Sequence, residues 1–289
     1  MDIFALVAAF GGGIFGAALG ALPVFILTGV LAIGGGLLGM AGVAEYSIGH
    51  IAFGAFLGPH ITFAGGVAAA AFAANKRQVM SNGADITTPL YSTGYYGALI
   101  VGGIFGVLGA ILVYVYGTVL KIPTDLPGLT VFTLAIITRL TLGSSGFYGV
   151  CPIDAKRPWF TGGTGMVNHI VLGIGIGSVV CGVAQSMLDA GLAKEALGMY
   201  PIVCFGISAV SLIFAQTGFA VPASHHITLP CAIAFVLTGN LVIGIAVAII
   251  NTLFGDFIGK TFNSYCDTHI DPPATTICIS VLIINLLFA

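Results

Sequence analysis

The stretch "GPHITFAGG", residues 58–66, decides how the chain folds. It lies inside an apolar run, at about 46–74, that otherwise reads as one membrane crossing. Proline lacks an amide donor and clashes with the preceding turn, and Gly58 weakens a helix further. Such a break is tolerated at membrane depth only where protein or a water-filled cavity receives the freed carbonyls. A second stretch, "SHHITLPCA" at residues 224–232, repeats the His-Ile-Thr signature inside another apolar run. Imidazole and hydroxyl groups at interrupted helices are the pattern found where transporters hold a solute. We therefore expect His60 and Thr62 to face His225, His226 and Thr228 across one central polar site. The competing reading is that these side chains only bond nearby carbonyls and hold the breaks in shape.

Composition supports a membrane setting. The chain has 289 residues, 58% hydrophobic and 6% charged, whereas soluble domains carry about 25% charged residues. No single water-soluble core of this size hides so much apolar surface. Apolar runs fall at about 3–19, 21–43, 46–74, 94–118 and 125–145, then at 163–186, 197–217, 219–238, 239–260 and 272–289. The expected class is an all-α polytopic membrane protein of about ten transmembrane segments, with broken or re-entrant helices. The first run lacks a basic leader and is expected to be retained as a span. A formal charge of −2 gives no pull towards nucleic acid.

Five runs and five runs suggest internal duplication: repeat 1 at 1–145, a connector at 146–162, and repeat 2 at 163–289. His60-Ile61-Thr62 matches His226-Ile227-Thr228 at an offset of 166 residues. Gly97–Gly102 resembles Gly239–Gly244 at 142, and the Asp125 element matches the Asp271 element at 146. The drop in offset is absorbed by a polar loop near 75–95 that lacks a counterpart. If every run crosses, Lys76, Arg77, Lys156, Arg157 and Lys260 share one side against Lys121 and Lys194, and the repeats are inverted. If the two His-Ile-Thr runs are re-entrant, the repeats are parallel. The setting expected is a bacterial or archaeal cytoplasmic membrane.

Asp125 and Asp271 each precede a proline at a helix start, where a carboxylate caps exposed amides. They also suit a proton- or cation-coupling site, for H+ or Na+. Arg139, deep in its segment, is either functional, paired or snorkelling. Asp256 and Lys260, four apart, are spaced to pair. The six cysteines show no Cys-x-x-Cys spacing, and no phosphate loop, nucleophile elbow or zinc motif occurs. No cofactor, metal or catalytic role is expected, so an enzyme is the weaker reading.

At "TGYYGALIVGGIFGVLGAIL" (93–112) and "LPGLTVF" (126–132), the chain resembles urea transporters. That family pairs a Gly-Tyr-Asn-Gly-x-Leu-Val-Gly helix with Leu-Pro-x-x-Thr-x-Pro-Phe in each of two inverted halves. The likeness covers roughly 50 residues of repeat 1 and fewer of repeat 2. It implies a passive channel for a small neutral amide, often a trimer, with Thr130, Phe132 and Thr276 lining the pore. Tyr96 stands where the family has asparagine, Val131 where it has the second proline, and Ile277-Cys278 where it has Pro-Phe. The overall expectation is a homo-oligomeric transporter or channel for a small polar solute. A passive amide channel competes with an ion-coupled carrier, and a membrane subunit of a larger complex is the alternative class.

Overall fold

A computed structural model describes residues 2–289. It is helical, and no strand occurs among the described residues. Helices run in the order α1 (Ile3–Leu19), α2 (Ala21–Met40), α3 (Thr62–Asn75), α4 (Tyr96–Tyr114), α5 (Leu126–Leu142), α6 (Thr164–Asp189), α7 (Tyr200–Ser211), the one-turn α8 (Ile213–Gln216), α9 (His225–Thr238), α10 (Leu241–Asn263) and α11 (Pro272–Phe288). Five stretches are long and apolar enough to cross a membrane: 21–40, 96–119, 164–189, 196–216 and 241–263. That is compatible with an integral membrane protein. On α6 the large apolar residues Val167, Val171, Ile174, Val179 and Val183 are exposed, as expected of a surface that meets acyl chains.

Both His-Ile-Thr runs are interrupted. In the first, a π-helical turn at Ile48–Ala52 gives way to irregular backbone, and the α-helix begins only at Thr62. In the second, non-helical residues precede His225, where α9 begins. Helices α3 and α9 have 14 residues each, about 21 Å at 1.5 Å per residue, short of a hydrocarbon core of about 30 Å. They are also the deepest elements. Nearly every residue of α3 is buried, an alanine- and glycine-rich surface that lets its neighbours close in.

The same packing scheme occurs in both halves of the chain. Helix α1 packs on α4 and α3, and α6 packs on α10 and α9. Helix α3 packs on α4 and α5, and α9 on α10 and α11. The main helix contacts between the halves are α2 with α7 and α5 with α11. Both pairs are antiparallel. Gly29 lies against Ala209, Gly36 against Val203 and Gly39 against Met199. In the second pair, Asn285 Nδ2 donates to the Pro123 carbonyl (3.0 Å), Gly128 approaches the Ala274 carbonyl, and Arg139 Nη2 donates to the Thr268 carbonyl (2.8 Å).

Glycine decides how closely α1 and α4 approach. A Cβ on Gly13 would lie 2.1 Å from the Gly102 carbonyl oxygen, with no side chain there to yield, whereas Gly11 on the same helix has open space around it. Gly13→Val should therefore lower stability by about 2 kcal/mol or more through overpacking. Gly11→Ala should raise it by about 0.5–1 kcal/mol through helix propensity. Thermal unfolding in detergent checks both; a Gly13→Val midpoint equal to wild type would contradict the packing.

Candidate functional site

Four helix starts converge on one cavity of about 410 Å³. The first is that of α3, through Pro59 and Phe63, and the second is that of α9, through His225 and His226. The other two are α5 and α11. There the Asp125 side chain accepts from the Gly128 amide (2.6 Å) and the Asp271 side chain from the Ala274 amide (2.7 Å). Each aspartate fixes where its helix starts, a role worth about 1 kcal/mol. Each also lines the cavity.

Half of the lining comes in pairs, with one offset for each pair of elements. Asp125 and Asp271, Pro127 and Pro273, Gly128 and Ala274, and Val131 and Ile277 are each 146 apart. Pro59 and His225, and Phe63 and Leu229, are 166 apart; Leu22 and Ile202, and Phe25 and Phe205, are 180 apart. The cavity thus sits between helices of the first and second halves of the chain. One side departs from this pairing: His169, Thr252, Asp256 and His269 add polar groups from the second half only. Asp256 accepts from the Thr161 amide and hydroxyl (2.7 Å each) and lies 3.6 Å from His169 Nε2. Asp271 lies 3.3 Å from His269 Nε2.

The expected face-to-face arrangement of imidazoles is not what the structure holds. His225 and His226 reach the cavity from the first turn of α9, but His60, which precedes the start of α3 at Thr62, does not line it. The His60 ring turns back on its own break beside Gly58. Thr62 donates to the Leu57 or Gly58 carbonyl (3.2 Å each), and Thr228 meets Ser208 Oγ (3.0 Å) and the Cys204 carbonyl (3.2 Å). Both hydroxyls serve carbonyls and neighbours of the breaks. Thr130 and Thr276 are fully buried behind the wall, with no hydrogen-bond partner among the described residues. Phe132 packs on Phe262 (6.4 Å between centroids), away from the cavity.

Arg139 is also outside the cavity. Buried, it donates to the Thr268 hydroxyl and carbonyl, to the Phe147 carbonyl (2.9 Å) and to Cys266 Sγ (3.1 Å). It pins the segment that leads to Asp271, neither snorkelling nor lining. Asp256 faces Thr161 and His169 rather than pairing with Lys260. Among the described residues, no group of three His, Cys, Asp or Glu side chains is placed to hold a metal ion.

Sequence reasoning missed three features. His269 stands two residues before Asp271, and that spacing was the available signal. Pro230, inside α9, removes the amide that would bond the His226 carbonyl. The unmatched polar loop supplies Ile86 to the cavity wall. Its turn is knotted by Asp85, which accepts from the amides and hydroxyls of Thr87 and Thr88. The Ile86 carbonyl accepts from Leu22 N (2.7 Å) and the Thr87 carbonyl from Gln216 Nε2 (3.1 Å).

Partial burial alone would raise the Asp85 carboxyl, but the hydrogen bonds from Thr87 and Thr88 outweigh it and hold the group below the ordinary carboxylate range. A depressed folded value means the stabilisation is present above the unfolded value, about 4, and fades as pH falls through the folded value. Asp85→Asn should therefore weaken unfolding resistance at pH 7 and lose this difference once pH has fallen below the ordinary carboxylate range. A gap between variant and wild type that is constant across pH would contradict the assignment.

One protein-family model, described as a family of unknown function (DUF7973), matches residues 1–150 and 175–289. The chain belongs to that family. No curated protein and no solved structure matches it.

Proposed function

We propose that this chain is an integral membrane permease for a small solute, built from two inverted five-segment halves, 1–145 and 163–289. The solute would lodge in the cavity at the axis between them. The observation that carries this reading is the cavity wall itself, to which residues at fixed offsets from both halves contribute. Antiparallel contact of α2 with α7 and of α5 with α11 supports inversion, because a two-fold axis in the membrane plane reverses every helix it relates. Interrupted helices whose amide ends face a shared cavity are the means by which transporters hold a solute midway across the bilayer.

The amide-channel expectation receives less support. Thr130, Phe132 and Thr276 are set away from the cavity, and the Asp-x-Pro starts line it instead. The cavity wall is titratable, which favours a binding site occupied in each transport cycle over an inert pore.

Reconstitution into proteoliposomes with a panel of small amides, amines and carboxylates tests the reading. At least one solute should accumulate or exchange faster than in empty vesicles. Gly255→Leu should reduce that flux by about tenfold or more, because a Cβ there would already sit 2.4 Å from His226 Nε2. Wild-type vesicles no more permeable than empty ones across the panel would contradict the permease.

A further inference from the structure

The cavity wall carries acidic side chains with no lysine or arginine to answer them. Asp125, Asp256 and Asp271 line it, and no lysine or arginine does. Asp256 is answered by Thr161 and His169, and Asp271 by His269 and the Ala274 amide. Asp125 has the Gly128 amide and no side-chain partner among the described residues. Each converging helix start contributes about half a positive charge. Four such ends fall short of three carboxylates.

Two further observations point to an occupant. His225 and His226 are 5% and 7% exposed, line the cavity, and have Nδ1 atoms without hydrogen-bond partners. Beside them stands a phenyl wall. Phe25 lies 5.8 Å from Phe63 and 5.6 Å from Phe205, and Phe53 lies 5.6 Å from Phe205, between ring centroids. Aromatic faces attract cations and also cover apolar carbon.

We infer that the cavity takes a protonated amine carrying a compact apolar body, its ammonium against Asp125 and Asp271 and its body against the phenyl wall. This deepens the permease reading and rests on it for the use of the site. An ammonium has three donors and no acceptor, which suits carboxylate oxygens and an unpartnered imidazole nitrogen. A carboxylate ligand would add a fourth like charge. A neutral amide would leave the Asp125 charge without a counter-charge in a poorly solvated site. The volume of about 410 Å³ falls in the range of small-molecule sites.

The test uses the full chain in detergent, with unfolding followed by a thiol-reactive fluorogenic maleimide that reports exposure of the buried Cys181, Cys204, Cys231 and Cys278. The probes are benzylammonium, benzoate, benzyl alcohol and benzamide at equal concentration. Benzylammonium should raise the unfolding midpoint most. Asp125→Asn and Asp271→Asn should each weaken its binding about tenfold, since a charge-assisted hydrogen bond is lost. Asparagine caps a helix as well as aspartate does, so the helix starts should persist. A shift from benzoate or benzyl alcohol equal to that from benzylammonium would overturn the inference, as would no shift from benzylammonium. Should the variants fail to fold, the wild-type ranking of the four probes decides alone. Uptake separates the two claims. Flux of neutral amides with inert benzylammonium overturns the ligand class and leaves the permease standing. Benzylammonium binding without flux of any panel member overturns the permease and leaves the binding site.

Discussion

A chain that stops being helical inside an apolar interior must find other partners for its amides and carbonyls, and the whole molecule is arranged around meeting that demand twice. At the first break, the Leu57 carbonyl accepts from Thr28 Oγ1 (2.7 Å) and lies within reach of Thr62 Oγ1. The amides of Ile61 and Thr62 reach the Gly58 carbonyl. At the second, Ile227 and Thr228 donate to the Ser224 carbonyl. Such local repair needs neighbours that come very close. Gly109 on α4 admits the His60 carbonyl, where a Cβ would stand 1.8 Å away, and Gly255 on α10 admits the His226 ring. Small residues on the surrounding helices are thus the condition for polar backbone at depth.

The aspartates join that scaffold to chemistry. Each Asp-x-Pro start needs a carboxylate to cap its first amides, and proline at the first turn removes a donor that would otherwise go unmet. Because α5 and α11 cross antiparallel near Gly128 and Ala274, both caps are delivered to the same cavity. The ends of the crossing are tied by related means. Arg139 holds the Thr268 carbonyl ahead of Asp271, and Asn285 holds the Pro123 carbonyl ahead of Asp125. These two residues are themselves 146 apart. A charge deep in one half therefore plays the part that an amide plays in the other.

Much of this was legible in residue types and spacing. Gly58-Pro59 marked one interruption, and the repeated His-Ile-Thr led to the other. The Asp-Leu-Pro and Asp-Pro-Pro starts announced capped helices. Orientation was not legible. His60 and His226 occupy matching positions, yet only His226 reaches the cavity, since α9 is already helical at His226 while α3 begins only at Thr62. Thr62 and Thr228 are indistinguishable by pattern from solute ligands, although nearby groups claim both hydroxyls. The return of Ile86 to the cavity was invisible for a plainer reason. One apolar residue in a polar loop has no periodicity, and its placement depends on the hydrogen-bonded turn at Asp85.

The central claim is that the second break opens onto a water-accessible cavity rather than onto lipid or packed protein. Cysteine accessibility tests it most directly. With Cys151 and Cys266 replaced and the four buried cysteines retained, Ala223→Cys, on the cavity wall, should react with a membrane-impermeant thiol reagent. Ala234→Cys, fully buried on α9, should remain inert. An unreactive Ala223→Cys in correctly folded protein would contradict the account.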